Sequence, residues 1–403
     1  MTRGRRLLVT TARMPYAVDE IRKLGRRGHT VHASDTFWNA PGLHSRWIEK
    51  RHVTPSVRYE TPAFLDSIVE IVRDYDIDVV LPMFEEVFYL RRYADVLADR
   101  VEVFAPSFSA LDRLHDKIKF VELCREIGVK TPETVVAYDA AQLKDAVGAF
   151  PEYFGRPAHS RGGVYLLTNT GPLAGVVPLE KCRPTESNPW LVQPFVRGLD
   201  ICTFSVARKG RVTAHAAYVH PKTIESAGGI VYESTVEDDA FAAVEKFVEA
   251  TNFDGQVSFD FLRTESGLSA VECNPRPTAG LTVMPADMLD EALFGPISAK
   301  PRVAPAGTRR HILSALVRDM FQHWRDIPSD WRELMSGSED LYGTKGDRMP
   351  GLYQVLSLSH VLRYRRRTPA ADRTRSDLLA GYFFDVSWDG EPMPQPTAHR
   401  AAV

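Results

Sequence analysis

The stretch Gly255-Gln-Val-Ser-Phe-Asp-Phe-Leu-Arg-Thr-Glu-Ser-Gly-Leu-Ser-Ala-Val-Glu-Cys-Asn-Pro-Arg276 contains two short runs in which apolar and polar residues alternate. The first run extends from Val257 to Leu262, and the second extends from Leu268 to Asn274. Alternation with a period of two is typical of β-strands that bury one face. The stretch therefore predicts a β-hairpin, and the rest of the chain is interpreted around it.

The turn of this hairpin sets its register. A three-residue loop closed by Thr264 and Leu268 would place Gly267 in the left-handed conformation that such a loop requires. That register puts Phe261 opposite Val271, with both side chains on the apolar face. We expect this face to pack against the core of the protein.

The other face of the hairpin carries polar residues. Asp260 lies opposite Glu272 in the predicted register, and Asn274 follows on the same face. Cross-strand partners have Cβ atoms about 4.5–5.5 Å apart, and two carboxylates that close repel each other unless a proton or a cation lies between them. Such oxygen ligands suit Mg²⁺, which also binds phosphate oxygens. Because Arg276 has the same parity and can bind an anion bidentately, this face predicts a metal and phosphate site; a solvated hairpin face is the alternative.

Length and composition indicate a globular protein of several domains. A chain of 403 residues exceeds what one core usually supports, so two or three domains are expected. The formal net charge of −2 gives no field that attracts nucleic acid or an anionic membrane, and no apolar run approaches ~18 residues. The four cysteines are scattered, which suggests neither disulfides nor zinc. We therefore expect a cytoplasmic enzyme with no nucleic-acid or membrane partner.

The N-terminal region alternates strands with helices, which predicts a doubly wound parallel sheet. Its first turn lacks the glycines of a dinucleotide fingerprint, so NAD binding there is rejected. Ligands still bind outside the carboxyl ends of such strands. Arg13, Glu85 and Glu86 follow strands in that position, and they either hold a substrate or are solvated loop charges. Further candidates for substrate specificity are His215, His220 and Lys222.

The middle of the chain contains a glycine-bearing loop between extended segments. The stretch runs from Gly155 to Val164, with Arg156 near its start and Arg161 directly before its two adjacent glycines. Backbone N–H groups of such a loop can cradle phosphates, although an ordinary turn is the alternative.

The C-terminal region begins after Pro-rich sequence near residues 295–305. Residues 309–321 and 351–364 are predicted to be helical, and residues 382–388 are predicted to form a final strand. The basic run at residues 363–367 favours a solvated helix end over a nucleic-acid patch. Residues after Gly390 are predicted to be disordered.

Together these stretches resemble the ATP-grasp superfamily of carboxylate–amine ligases, in the branch related to biotin carboxylase and the large chain of carbamoyl-phosphate synthetase. The motif Glu272-Cys-Asn-Pro-Arg276 carries the resemblance most specifically, with support from Asp116-Lys117 and from residues 193–200. The resemblance implies an α/β and α+β protein with a Rossmann-like domain over residues 1–110, an ATP-grasp domain over residues 111–300 with its lid at about 125–195, and a C-terminal extension over residues 301–403 with a disordered tail.

The resemblance also implies roles for individual residues. The implied ATP-binding residues are Lys117, Arg156, Ser160, Gly162, Gly163, Gln193, Pro194, Phe195, Val196 and Asp200. The implied catalytic residues are Arg276 and Lys117, and the implied ligands of Mg²⁺ or Mn²⁺ are Asp260, Glu272 and Asn274. Arg156 departs from the family, which has a lysine at that place, and a guanidinium neutralises phosphate with a different geometry.

The implied activity is an ATP-dependent ligation of a small-molecule carboxylate to an amine through an acyl phosphate. The alternatives are a kinase, an acid–thiol ligase, or a nucleotide-binding regulatory protein without catalysis. A homodimer is left open.

Overall fold

The computed structural model describes residues 4–98, 100–161, 165–224, 228–366 and 381–393. Its N-terminal part is a five-stranded parallel sheet in the order β3-β2-β1-β4-β5. The strands are β1 (Arg6–Val9), β2 (Thr30–Asp35), β3 (Lys50–Val53), β4 (Val79–Leu81) and β5 (Glu102–Val103). The connecting helices are α1 (Pro15–Arg26), α2 (Thr61–Asp74), α3 (Glu86–Arg92) and α4 (Ala94–Leu97), with a 3-10 turn at Pro41–His44. The predicted parallel sheet is confirmed.

A small antiparallel sheet follows two helices, α5 (Phe108–His115) and α6 (Lys117–Glu126). Its order is β6-β9-β7-β8. The elements are β6 (Val135–Ala137), α7 (Ala140–Gly148), β7 (Tyr153–Pro157), β8 (Leu167–Thr168), a 3-10 turn at Leu179–Lys181, and β9 (Trp190–Pro194). This small sheet falls within the range assigned to the lid, while the domain boundaries themselves stay a prediction.

The largest sheet is mainly antiparallel and contains the hairpin. Its order is β14-β13-β10-β11-β12-β16-β17, and β15 pairs with β11. The strands are β10 (Leu199–Arg208), β11 (Arg211–Ile224), β12 (Gly228–Thr235), β13 (Gly255–Thr264), β14 (Gly267–Asn274), β15 (Arg302–Val303), β16 (Arg309–His311) and β17 (Glu339–Asp340). The helices are α8 (Asp238–Ala250), α9 (Gly280–Val283), α10 (Ala286–Phe294), α11 (Leu313–Gln322), α12 (Ile327–Met335) and α13 (Met349–Arg365), with a 3-10 turn at Trp324–Asp326.

The apolar face of the hairpin packs against helices α6 and α8. The Phe259 ring packs near Phe247 of α8 and Phe120 of α6, with centroid distances of 4.7 and 6.4 Å. Phe261 is buried in the same cluster. Aromatic side chains bury large areas and dominate the energetics of a core. This packing fixes the hairpin, so its polar face is turned toward the small sheet.

The loop of the hairpin differs from the predicted one. Thr264 pairs directly with Gly267, so the loop has two residues rather than three. Gly267 has a positive φ of 107°, which glycine adopts without a steric cost. The predicted pairing of Thr264 with Leu268 is wrong, because Leu268 pairs with Arg263.

A β-bulge between the loop and the polar residues shifts the strand register back by one residue. Asp260 pairs with Glu272 as predicted, but Phe261 pairs with Ala270, and the shift between the two pairs leaves Val271 unpaired. A bulge of this kind inserts one extra residue in one strand and redirects the side chains beyond it. The prediction that Val271 faces the core is wrong. Ala270 is buried there, and Val271 lines a pocket on the opposite face.

The C-terminal predictions are partly wrong. Residues 309–311 form a strand that pairs with β12, so the helix predicted from Arg309 begins at Leu313. The predicted helix at residues 351–364 is confirmed as α13. The predicted strand at residues 382–388 is wrong, because residues 381–383 are helical and residues 384–386 form a turn. Of the predicted disordered tail, residues 394–403 lie outside the described part.

No helix in the described part of the chain combines the length and the hydropathy that spanning a membrane requires.

The segment 381–393 docks on the N-terminal sheet through a buried charge cluster. The Arg13 guanidinium pairs with Asp35 and Asp385 at 2.7 Å each, and all three side chains are buried. The Tyr89 hydroxyl donates to the Ser387 carbonyl at 3.2 Å. A buried charge is tolerated only when it is paired and hydrogen-bonded, so these contacts tie the end of the chain to its beginning.

We predict that Asp385→Asn lowers the free energy of unfolding by about 1.5–3 kcal/mol, the usual contribution of a hydrogen bond to a charged group. The measurement is urea unfolding of the full chain. Asp74→Asn is the control, since the Arg73–Asp74 pair is exposed and exposed ion pairs contribute little to stability. Equal effects of the two substitutions would contradict the docking role of Asp385.

Candidate nucleotide and metal site

A pocket of about 400 Å³ lies between the small sheet and the polar face of the large sheet. Its walls come from β7 and β9 on one side and from β10, β13 and β14 on the other. The predicted site residues that line it are Arg156, Ser160, Gln193, Pro194, Phe195, Val196, Asp200, Asp260 and Glu272. Residues separated by more than a hundred positions in sequence therefore meet in one cavity.

The acidic end of the pocket is formed by the hairpin. Asp260 and Glu272 are cross-strand partners. The Asn274 amide nitrogen lies 3.4 Å from an oxygen of each carboxylate. Burial, together with the negative charge of Glu272, raises the pKa of Asp260. A cation placed between these groups would relieve that repulsion.

Two cations approach Glu272 from outside the hairpin. Arg156 of β7 donates to a Glu272 carboxylate oxygen at 2.5 Å and to the carbonyl of the bulged residue Val271 at 2.9 Å. The Lys117 ammonium lies 3.9 Å from the same carboxylate oxygen. Burial alone would raise the pKa of Glu272, but Arg156 and then Lys117 outweigh it and lower that pKa. Glu272 is therefore ionised and paired.

Lys117 occupies the first turn of α6, where it meets the glycine-bearing loop. Asp116 caps this helix by accepting from the backbone N–H of Ile118 at 2.8 Å. The Lys117 ammonium donates to the carbonyl of Ser160 at 2.9 Å. Burial lowers the pKa of Lys117 to about 8. Lys117 thus contacts Ser160 and Glu272 but does not itself line the pocket.

The other end of the pocket is built by the end of β9. Gln193 is buried, and its amide nitrogen donates to the Thr134 hydroxyl at 2.8 Å. The backbone N–H of Phe195 donates to the Glu152 carbonyl at 2.9 Å, which fixes the chain as it leaves the strand. Asp200 is exposed at the start of β10. This end has few charges and suits a flat heteroaromatic group.

The glycine-bearing loop is described only as far as Arg161. Gly162 and Gly163 lie outside the described residues. Arg161 donates to Glu85 at 2.7 Å and to Asp389 at 2.8 Å. Glu85 also accepts from the Trp388 backbone N–H at 2.8 Å. The loop is therefore connected to the N-terminal sheet and to the C-terminal segment.

Arg276 lies beside the pocket rather than in its wall. Its guanidinium donates to the Asn274 side-chain oxygen at 3.0 Å and stacks 4.2 Å from the centroid of the Phe84 ring. Its Nε atom is buried and has no partner among the described residues. Arg276 therefore extends from the metal-ligand candidates toward the carboxyl ends of the N-terminal strands.

The remaining substrate candidates have different surroundings. Arg13, Glu85 and Glu86 are buried with partners inside the chain; Glu86 accepts from the Thr10 hydroxyl. His215 bonds Ser205 in the interior at 2.8 Å, and Lys222 pairs with Asp319 at 2.7 Å. His220 lines the pocket between the two sheets. These placements give Arg13, Glu85, Glu86, His215 and Lys222 structural partners, and they leave His220 at the site.

Sequence reasoning missed several lining residues. Phe154, Thr168 and Leu173 of the small sheet and its connections contribute to the pocket wall. The alternation of Phe154 with Arg156 in β7 was the one local signal for Phe154. Thr168 and Leu173 come after the glycine-bearing loop in sequence and had no comparable pattern.

The fold is shared with solved structures of low sequence identity. N5-carboxyaminoimidazole synthetase from Staphylococcus aureus, complexed with ADP, matches with a TM-score of 0.58 at 11% identity, over 77% of this chain and 82% of that chain. The biotin carboxylase domain of 2-oxoglutarate carboxylase from Hydrogenobacter thermophilus, in complex with MgADP, ADP and bicarbonate, matches with a TM-score of 0.57 at 13% identity, over 74% and 71%. L-amino acid ligase from Bacillus licheniformis matches with a TM-score of 0.53 at 13% identity, over 74% of each chain.

These likenesses establish the class of fold. They confirm the architecture expected from the resemblance to the ATP-grasp superfamily. No protein-family model and no curated protein matches the sequence.

We predict that Mg²⁺ stabilises the ADP-bound wild type more than it stabilises ADP-bound Asp260→Asn, because the amide removes one anionic ligand. The measurement is thermal or urea unfolding in saturating ADP with and without Mg²⁺. A ligand at about 100 times its Kd contributes about 2.7 kcal/mol. Glu265→Gln, in the exposed hairpin loop, is the control and should respond like the wild type. An equal Mg²⁺ effect in Asp260→Asn would contradict the metal assignment.

Proposed function

We propose that this protein is an ATP-dependent ligase that joins a carboxylate to an amine and releases ADP and phosphate. The observation that carries the proposal is the pocket that brings Asp260 and Glu272 together with Arg156 at one end and the Gln193–Val196 segment at the other. The fold supports it, because the compared proteins include a synthetase and a carboxylase domain with bound ADP and an amino acid ligase.

The adenine of ATP would lie against the Gln193–Val196 segment. The carbonyl of Pro194 would accept from the adenine amino group, and the N–H of Val196 would donate to the ring. The Gln193 oxygen would accept as well, since its nitrogen already donates to Thr134. Asp200, exposed at the pocket mouth, would accept from the ribose hydroxyls.

The phosphates would lie at the charged end of the pocket. Arg156 lines this end and is held by Glu272, while Lys117 lies outside the pocket wall and is held by the Ser160 carbonyl. When phosphates enter, the Arg156 guanidinium gains a second anionic partner and can release Glu272 for a metal ion. Ser160 and the adjoining loop would cover the phosphates and exclude water, which otherwise hydrolyses an acyl phosphate.

The donor set of the hairpin fits Mg²⁺ or Mn²⁺. Asp260 and Glu272 present two carboxylates to one point, and the raised pKa of Asp260, caused by burial and by Glu272, reflects a deficit of positive charge. Asp260, Glu272 and the Asn274 side chain would hold the ion, which would neutralise charge on the β- and γ-phosphates.

Arg276 would act where the carboxylate is activated. It is anchored by Asn274 and Phe84, so its guanidinium is positioned without further ordering. A fixed cation stabilises negative charge that grows during transfer of the phosphoryl group and attack of the amine. Phosphoryl transfer depends mainly on such positioning and charge neutralisation.

The test is an ADP-release assay over a matrix of small carboxylates and amines, followed by mass spectrometry of the product. The expected result is ADP release that requires one acid and one amine and gives their condensed product. Asp260→Asn serves as the inactive control. A phosphorylated product would favour a kinase, a thioester would favour an acid–thiol ligase, and ATP binding without turnover would favour a regulatory protein.

Three further expectations stay predictions. They are the cytoplasmic location, the homodimer and the limits of the domains.

We predict that Arg156→Lys keeps ATP affinity within about tenfold, or ~1.4 kcal/mol, because an ammonium still neutralises phosphate. Arg156→Ala should weaken ATP binding by more than that. Calorimetry of ATP binding measures both effects. Arg302→Ala is the matched control, since Arg302 is exposed, pairs with Asp287 and does not line the pocket. Equal ATP affinity of Arg156→Ala and wild type would place Arg156 away from the phosphates.

We predict that Arg276→Ala lowers kcat by about 10²–10³ while ATP binding changes little, because its guanidinium stabilises charge that develops in the transition state. The measurements are kcat, the ATP Kd and the melting temperature. Arg276→Lys, which keeps a charge, should retain more activity than the alanine variant. A normal kcat in Arg276→Ala, or a variant that fails to fold, would overturn the assignment.

A further inference from the structure

A second cavity of about 740 Å³ lies next to the nucleotide pocket and shares no lining residue with it. Its wall comes from the helices α5 and α6, from the segment around His159, and from the C-terminal segment around Trp388. His159 faces this cavity, whereas the next residue, Ser160, faces the nucleotide pocket. The second cavity is therefore on the other side of the loop that leads to the phosphates.

Three side chains in this cavity converge on one point. Asp112 is on α5, Asp116 joins α5 to α6, and His159 comes from the small-sheet region. One possible ligand atom from each lies within 4.8 Å of the other two. In a tetrahedral Zn²⁺ site, nitrogen and oxygen ligands about 2.0–2.2 Å from the ion lie roughly 3.3–3.6 Å from one another, so side-chain rotations that bring the three atoms closer would complete the set.

His159 gives an independent indication of a ligand. Its side chain is 6% exposed, and neither ring nitrogen has a hydrogen-bond partner among the described residues. Buried polar atoms in proteins are nearly always paired, so an unpaired one calls for an explanation. An imidazole nitrogen without a hydrogen-bond partner can offer its lone pair to a metal ion. A metal ion is the partner that a neutral imidazole beside two carboxylates suits.

The cluster already attracts positive charge in the structure. The Lys119 ammonium lies 2.5 Å from an Asp112 oxygen and 3.8 Å from an Asp116 oxygen. Lys119 is exposed, and its flexible side chain can leave the cluster at little cost. Asp116 also caps α6 through one oxygen, which leaves the other oxygen for a ligand. Lys119 is therefore a competitor whose removal should favour a metal.

We propose that Asp112, Asp116 and His159 form a binding site for a divalent transition-metal ion of the Zn²⁺ class, with an open position toward the cavity. A mixed set of imidazole and carboxylate selects Zn²⁺ over Mg²⁺, because Mg²⁺ prefers oxygen ligands alone. The site uses none of the four cysteines, whose spacing gave no indication of zinc. It is separate from the candidate Mg²⁺ ligands on the hairpin and does not depend on the proposed ligase activity.

A metal at this site would join parts of the chain that also hold the nucleotide pocket. Asp116 precedes Lys117, and His159 precedes Ser160, which accepts from the Lys117 ammonium. Coordination of Asp116 and His159 to one ion would fix the start of α6 against the segment at residue 159. The ion would thus hold Lys117 and Ser160 in place at the end of the pocket where the phosphates are proposed to bind.

The test is calorimetric titration of the full chain with Zn²⁺ in excess Mg²⁺, which competes for the oxygen ligands of the hairpin, and without nucleotide, whose phosphates would themselves bind Zn²⁺. His159→Gln and Asp112→Asn should each weaken Zn²⁺ binding by more than about 100-fold, since loss of even an outer partner typically costs about 10–100-fold. Lys119→Met should tighten binding, because it removes the competing ammonium. With Co²⁺ in place of Zn²⁺, the visible spectrum of the wild type should be lost in His159→Gln.

The matched control is His323→Gln. His323 belongs to a second group, with Asp319 and Asp326, in which His323 and Asp326 are exposed, and its loss should leave Zn²⁺ affinity unchanged. Asp112→Asn keeps the test decisive if His159→Gln does not fold, since Asp112 is only half-buried. The proposal is overturned if Zn²⁺ does not bind, if Asp112→Asn binds it like the wild type, or if His323→Gln abolishes binding instead.

Discussion

The cross-strand pair of Asp260 and Glu272 is the constraint on which the site depends. Two carboxylates held on adjacent strands need positive charge nearby, and the chain supplies it from two other elements. Arg156 reaches Glu272 from β7, and Lys117 reaches it from α6. The small sheet, the helix and the hairpin therefore meet at one carboxylate. This arrangement places the cations where phosphate oxygens can replace a carboxylate as their partner.

The part of this site that depends on local pattern could be predicted from the sequence. Alternation identified the strands, and spacing placed Asp260 opposite Glu272. The prediction used a three-residue loop, whereas the chain uses a two-residue loop and a bulge at Val271. The shorter loop shifts the register by one residue, and the bulge shifts it back by one. Beyond the bulge, Glu272 therefore pairs with Asp260 as predicted. Ala270 and Val271 are both apolar, so the pattern could not show which of them faces the core.

Contacts between distant parts of the chain could not be predicted in the same way. Residues 382–388 are rich in aromatic side chains, as many strands are, but these side chains pack on the N-terminal region instead. The ring centroids of Trp388 and Phe88, for example, are 4.9 Å apart. Asp385 reaches Arg13 across 372 positions of sequence. No periodic pattern connects such residues, because their proximity results from tertiary packing. The convergence of Asp112 with His159 was missed for the same reason.

The buried carboxylate of Glu85 couples three regions that sequence analysis treated separately. Its side chain is fully buried, and it accepts from Arg161 of the loop and from the Trp388 backbone of the C-terminal segment. Asp389 binds Arg161 as well. A buried charge that loses one partner is strongly destabilising, so the loop cannot move away from Glu85 without a cost unless another cation or a proton replaces Arg161. The C-terminal extension, which the family resemblance leaves unexplained, thereby helps to hold Arg161 and the beginning of the glycine-bearing loop in place.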